Sequence, residues 1–122
     1  MINVLAVGLG GFVGAVGRYL IGLIPVSETM AFPIKTFAIN VLGCIIIGVL
    51  SVAVAKGTSL SPQMMLVLKV GVCGGFTTFS TFALETADLI KAGNSAIALA
   101  YILGSVLIGV AVIFAVEYLT IR

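Results

Sequence analysis

Four long apolar stretches, separated by short polar connections, dominate the pattern of this chain. They lie at about residues 2–24, 34–55, 63–91 and 96–119. Each is long enough to cross a membrane as a helix, and prolines follow the first stretch and precede the second and third. The pattern therefore predicts an all-α membrane protein in which residues 1–122 form one domain of four transmembrane helices.

The third stretch contains a segment where the helical pattern fails. Residues 74–82 read GGFTTFSTF, two glycines followed by β-branched and hydroxyl residues, all of them poor in a helix interior. In hydrocarbon, each unpaired backbone N–H or C=O costs several kcal/mol, so a break persists only where protein, water or ions satisfy it. We therefore expect the third helix to be broken near residues 74–80, in the middle of the membrane, and to form a functional site there.

Composition changes this picture little. The chain is 61% hydrophobic and 8% charged, with a mean hydropathy of +1.36, which excludes a soluble domain. No basic segment precedes the first stretch, so we expect it to be a retained helix rather than a signal peptide. The net charge is only +2, and the basic residues form no cluster that would indicate binding to nucleic acid. There is no histidine, no cluster of metal ligands and no nucleophile–base pair, so an enzyme is not expected.

The lysines and arginines divide evenly between the two membrane faces. Three short connections place both termini on one side, which holds Lys56, Lys69 and Arg122, while the other side holds Arg18, Lys35 and Lys91. Three cations against three give no orientation by the positive-inside rule. A chain without this bias can insert both ways, and two opposed copies can pair around a two-fold axis in the membrane plane.

A few polar residues stand out in the apolar stretches, and each has a structural and a functional interpretation. Arg18 either reaches back to the membrane interface or faces an aqueous vestibule that attracts anions. Asn40 is the kind of residue that hydrogen-bonds a neighbouring helix. Tyr101 and Ser105 lie at i and i+4, on one side of the fourth helix, where they form a polar strip or bond a neighbour. Both interpretations stay open at each position.

The broken segment has the chemistry to bind an ion of either sign. Phe79 and Phe82 lie at i and i+3, and the positive ring edges of such a pair stabilise an anion without a full charge, so that binding stays weak enough for conduction. Asn40 supplies an amide donor. Hydroxyl donors come from Thr77, Thr78, Ser80 and Thr81. Conversely, carbonyls freed at residues 74–77 favour a cation, which two opposed copies of the chain would share on their axis.

These residues also carry a resemblance to a known family. Residues 74–82, together with GGFVGAVGRY at 10–19 and TFAINVLG at 36–43, resemble the small fluoride channel family, Fluc, also called CrcB. The resemblance implies a passive, fluoride-selective channel that lowers cytoplasmic fluoride. It also implies an antiparallel, dual-topology homodimer with two pores, embedded in membrane lipid. The expected location is the inner (plasma) membrane of a bacterium or archaeon, as a multi-pass protein.

The resemblance further assigns roles to single residues. A central sodium ion (Na+) would be held by the backbone carbonyls of Gly74 and Thr77 in both subunits. Arg18 would lie near the vestibule, and Glu85 matches an acid at the end of the pore whose role stays open. The fluoride pore would be lined by Phe79, Phe82, Asn40, Ser80, Thr81, Tyr101 and Ser105.

Two other functions compete with the channel. A proton-coupled small multidrug exporter is also tiny, four-helical and often inserted both ways, but it needs a membrane-embedded carboxylate in the first helix, where this chain has none. A non-transporting assembly subunit would use Asn40 and the hydroxyls only to bind helices together, and it would conduct no ions by itself.

Overall fold

A computed structural model of the chain describes residues 1–121. This described part contains helices and no strand. We label the helices α1 (Ile2–Gly22), α2 (Ile34–Ala55), α3 (62–76), α4 (Phe79–Lys91) and α5 (Ser95–Ile121). Arg122, one of the three cations assigned to the side of the termini, lies outside the described residues.

The helices of residues 1–121 provide four spans that are long and apolar enough to cross a membrane. These spans are Ile2–Gly22, Ile34–Ala55, Pro62–Lys91 and Ser95–Ile121. The chain is therefore an all-helical, multi-pass membrane protein. Helix α1 ends two residues before the expected residue 24, and Lys35 Nζ donates to the Gly22 carbonyl at 2.7 Å. A cation at this point satisfies a terminal carbonyl and complements the helix dipole.

Helix α3 is not a uniform α-helix. Its first turn, Pro62–Met65, is capped by Ser61, whose Oγ accepts the Met64 N–H at 3.1 Å. The next eight residues, Leu66–Cys73, form a π-helix, and Gly74–Phe76 return to α-helical geometry. A π-helical turn is wider than an α-turn and redirects the side chains that it carries. Nothing in the apolar pattern predicted it.

Only Thr77 and Thr78 interrupt the helical backbone between α3 and α4. Both have extended geometry, with φ/ψ of −81/155 for Thr77 and −149/119 for Thr78. The interval expected from the sequence, 74–80, is wrong in its extent, because Gly74–Phe76 and Ser80 are helical. Gly75 serves packing instead, because a Cβ on it would lie 2.5 Å from the carbonyl oxygen of Gly11, whereas a Cβ on Gly74 would meet no atom within 4 Å.

Glycines bring α1 and α3 into backbone contact. A Cβ on Gly10 would lie 2.2 Å from the carbonyl oxygen of Val67, and one on Gly14 would lie 2.2 Å from that of Val72. Such small-residue contacts replace the hydrophobic effect in holding helices together within a membrane. Helix α2 packs mainly against α5, so two helix pairs flank the interruption.

A tight turn brings α4 alongside α5. Gly93 has φ +84, a left-handed geometry that glycine adopts without strain. The Asn94 N–H reaches the Leu89 carbonyl at 2.8 Å, and the Gly93 N–H reaches that of Ile90 at 3.1 Å. This is the Schellman motif that commonly ends a helix. It reverses the chain, so that residues of α4 pack against the buried Tyr101 of α5.

Candidate functional site

Asn40 hydrogen-bonds the backbone of the interruption. Its Nδ2 donates to the Thr78 carbonyl at 3.1 Å, and its Oδ1 accepts the Thr78 N–H at 2.9 Å. The side-chain amide thus replaces the backbone partners that Thr78 loses where the helix stops. Since an amide nitrogen carries two hydrogens, one N–H of Asn40 remains for a further acceptor.

The backbone carbonyls that the interruption separates from their helical donors include those of Gly74 and Thr77. In a continuous helix the Thr78 N–H would donate to the Gly74 carbonyl, and the Thr81 N–H to that of Thr77. Here the Thr78 N–H donates to Asn40, and the Thr81 N–H donates to Thr78 Oγ1 at 3.2 Å. Thr77 is bonded to the preceding turn of α3. Its N–H and its Oγ1 both donate to the Cys73 carbonyl, at 3.0 and 2.7 Å. The carbonyls of Gly74 and Thr77, which were expected to bind the cation, are among those released.

Arg18 lies against the end of α3. Its Nε donates to the Gly75 carbonyl at 3.3 Å, and the contact is half-buried. A cation at the carboxyl end of a helix satisfies an orphan carbonyl and complements the dipole. From the sequence, Arg18 either reaches the membrane interface or faces an aqueous vestibule, and the resemblance implies the vestibule. The structure shows its Nε bound to the backbone beside the interruption, and its side chain also lines a second open cleft of about 390 Å³ together with Ala15 and Tyr19.

An open cleft of about 390 Å³ runs along α2, α3 and the interruption. It unites Asn40, Phe79 and Phe82, expected in the pore, with Gly74 and Thr77, expected at the cation. Phe79 is 79% exposed. The remaining lining residues are Gly43, Cys44, Ile47, Lys69, Cys73 and Thr78.

Gly43 shapes the floor of this cleft. A Cβ on it would lie 2.1 Å from the methyl carbon of Thr77, so Thr77 occupies the space that any other residue at position 43 would fill.

A series of aromatic rings leads from the cleft into the core. The centroids of Phe79 and Phe82 lie 5.8 Å apart, and Phe82 meets Tyr101 at 4.9 Å with an interplanar angle of 63°. Phe32 continues the series, 5.4 Å from Tyr101 and 5.4 Å from Phe37. Three of these pairs are edge-to-face, an arrangement in which positive ring edges meet negative faces.

The buried part of this series lies beside a carboxylate. The hydroxyl of Tyr101, a fully buried residue, donates to Glu85 Oε2 at 3.2 Å. Thr36 Oγ1 donates to Glu85 Oε1 at 2.5 Å. Both carboxylate oxygens of Glu85 are therefore held by hydroxyl groups from two other helices, which fixes its position at this end of the site.

The other expected pore hydroxyls have different surroundings. Ser105, one turn after Tyr101, has a buried Oγ without a hydrogen-bond partner among residues 1–121. A buried hydroxyl of this kind is a polar group that an ion or water would satisfy. The Thr81 hydroxyl accepts a hydrogen bond from Thr78 Oγ1 at 3.1 Å. Ser80 is exposed and does not line the cleft.

Sequence reasoning missed several residues of the site. Thr36 is 8% exposed and bonds Glu85 across 49 positions, which no local pattern reveals. Phe32 and Phe37 flank the start of α2 and were not distinguished from packing residues. Lys69 was assigned only to a membrane face, yet it lines the cleft. Its lone charge in an apolar stretch was the signal available.

Comparison with known proteins gives consistent matches. The family described as "CrcB-like protein, Camphor Resistance (CrcB)" matches residues 5–116. A protein of Chlorobaculum tepidum named "Fluoride-specific ion channel FluC" is 49% identical, over 93% of this chain and 90% of the relative. Proteins with the same name from Methylobacillus flagellatus and Chlorobium phaeobacteroides are 43% and 41% identical. They cover 89% and 87% of this chain, and 87% and 83% of their own lengths.

Proposed function

Since this chain belongs to the CrcB family, we propose that it is a passive, fluoride-selective channel in the cell inner membrane of a bacterium or archaeon. The family is one of ion channels and not of enzymes. The relatives named as fluoride channels align over most of their length, so the proposal concerns the whole chain. Fluoride leaving the cytoplasm would be the transported ion.

The ring series beside Asn40 is the observation that carries this proposal. Phe79 and Phe82 lie on the cleft, and Tyr101 meets Phe82 edge to face at 4.9 Å. Ring edges and neutral donors offer an anion several weak sites, which conduction requires. The second N–H of Asn40 and the unpartnered hydroxyl of Ser105 are donors that a small anion would accept. Exposed Ser80 and the Thr81 hydroxyl would contribute further along the path.

We further propose that the carbonyls of Gly74 and Thr77 bind a sodium ion. Their helical donors are redirected to Asn40 Oδ1 and Thr78 Oγ1, which leaves two hard oxygen ligands close together in sequence. Two carbonyls are too few for a cation, so a second, antiparallel copy would supply two more around the axis. The even division of cations between the membrane faces is consistent with such a dual-topology homodimer. Arg18 would hold the intervening Gly75 carbonyl away from the ion.

Fluoride efflux from liposomes tests the proposed function. We expect purified protein alone, in vesicles loaded with potassium fluoride, to release fluoride rapidly when a potassium ionophore is added. Vesicles loaded with potassium chloride should release no chloride, and protein-free vesicles neither ion. A fluoride electrode and a chloride electrode measure the two fluxes. Absence of fluoride efflux from monodisperse protein would refute the channel and favour an exporter or a non-transporting subunit.

Sodium removal tests the cation site and the dimer together. Replacing sodium with N-methylglucamine, which is too large for a carbonyl cage, should lower the thermal unfolding temperature and shift the protein from dimer to monomer. Ligand binding stabilises the state that binds it, so restoring sodium should reverse both changes. Size-exclusion chromatography with light scattering measures the mass in detergent. Equal mass and equal unfolding temperature in both buffers would contradict a structural sodium ion.

A further inference from the structure

We infer that Lys69 recruits the anion: its ammonium group, on the wall of the cleft that Phe79 and Phe82 share, attracts fluoride to the pore entrance. This inference rests on the proposed channel function. It adds an electrostatic role for a residue that the sequence pattern placed only on one face of the membrane. Lys69 lines the cleft and has no partner among residues 1–121, whereas most other cations have one.

Lys69 lies within the π-helical part of α3, inside the span Pro62–Lys91 and nearer to its Pro62 end. It follows Pro62 by seven residues, or roughly 10 Å along the helix axis. It is exposed, and it lines the cleft together with Asn40 and the two phenylalanines. A lysine about 10 Å from the end of a membrane helix either extends to the interface or faces a water-filled cavity. The position of Lys69 on the cleft wall, beside Asn40 and the two phenylalanines, favours the cavity.

Most other cations are committed to partners. Arg18 binds the Gly75 carbonyl, Lys35 binds that of Gly22, and Lys56 binds that of Thr120. Lys91 lies 3.7 Å from Asp88. Among the cations that the structure describes, Lys69 has no hydrogen bond or ion pair with residues 1–121. Its charge therefore acts on the cleft and adds to the vestibule role expected for Arg18.

The position of Lys69 also keeps its charge apart from the proposed sodium ion. Side chains in a helix lean toward its amino end, which carries the ammonium away from the carbonyls of Gly74 and Thr77. The cleft is then positive beside Lys69, while the carbonyls lie at the interruption. An exposed lysine without a partner attracts an anion without binding it strongly enough to stop conduction.

Fluoride efflux at two ionic strengths tests the inference. At about 10 mM ionic strength, where the Debye length is about 30 Å, we expect Lys69→Gln to lower efflux about threefold at subsaturating fluoride. At about 1 M potassium gluconate, where that length is about 3 Å, the variant and the native protein should conduct equally. Lys69→Arg, which keeps the charge, should restore native efflux at both ionic strengths.

Lys56→Gln is the matched control, because it removes the same charge outside the cleft, at the far end of α2. We expect no dependence on ionic strength for this control beyond that of the native protein. Equal efflux of Lys69→Gln and native protein at low ionic strength would overturn the inference, as would a loss that is the same at both ionic strengths. If the native protein itself releases no fluoride, the proposed channel function fails, which is a separate result.

Discussion

Replacing Phe82 with isoleucine is expected to reduce fluoride efflux by more than about tenfold while the protein remains folded. Phe82 lies between Phe79 and Tyr101, 5.8 and 4.9 Å away, so its ring joins the cleft to the buried part of the series. Isoleucine keeps an apolar side chain but removes the positive ring edge. A loss of only about 1.4 kcal/mol of anion stabilisation lowers the affinity for the anion about tenfold.

Phe79→Ile should have the same direction of effect with less structural change. Its side chain is 79% exposed in the single chain, so the substitution leaves no large cavity in the subunit. Phe114→Ile is a matched control, because Phe114 lies on α5, is 68% exposed and does not line the cleft. Efflux and unfolding temperature are measured for all three variants. Native efflux in both Phe79→Ile and Phe82→Ile would remove the argument from ring edges.

The apolar pattern predicts the spans well because membrane insertion depends on a sum over many residues. Helix α2 was expected at 34–55 and is observed at Ile34–Ala55. The interruption was harder to place, because a glycine has two uses in a helix. It weakens the helix, and it also permits close approach of another backbone. For Gly75 the second use prevails, since the backbone of α1 occupies the place of its side chain.

Local geometry alone predicts contacts of the site only where its residues lie close together in the chain, and the resemblance supplied the distant Asn40 and Tyr101. Phe79 and Phe82 are one helical turn apart, so their proximity follows from local geometry. The Glu85 carboxylate is bonded from Thr36 and Tyr101, across 49 and 16 positions. Such pairs depend on how three helices pack, which no local periodicity encodes. The Asn40 amide was expected to donate to an anion, and the structure adds that its Oδ1 and one N–H bond the Thr78 backbone, which leaves the other N–H for that role.

The second large effect is expected at the contact between α1 and α3. Gly14→Ala would place a Cβ 2.2 Å from the carbonyl oxygen of Val72 and 2.7 Å from the nitrogen of Phe76. Both are backbone atoms, so no side chain can rotate to relieve the overlap, and the helices have to separate. Overpacking of this kind costs about 1–3 kcal/mol or more. Because Phe76 directly precedes the interruption, we expect both the unfolding temperature and fluoride efflux to fall.

Gly8→Ala separates this packing effect from the general effect of alanine in a helix. Gly8 lies on the same helix, is exposed, and has no atom within 4 Å of the position that a Cβ would take. Alanine is favoured over glycine in a helix by roughly 0.5–1 kcal/mol, so this control should be neutral or slightly more stable. Thermal unfolding in detergent, followed by circular dichroism, compares the two variants with the native protein. Equal unfolding temperatures for Gly14→Ala and Gly8→Ala would show that backbone contact between α1 and α3 does not hold the interruption in place.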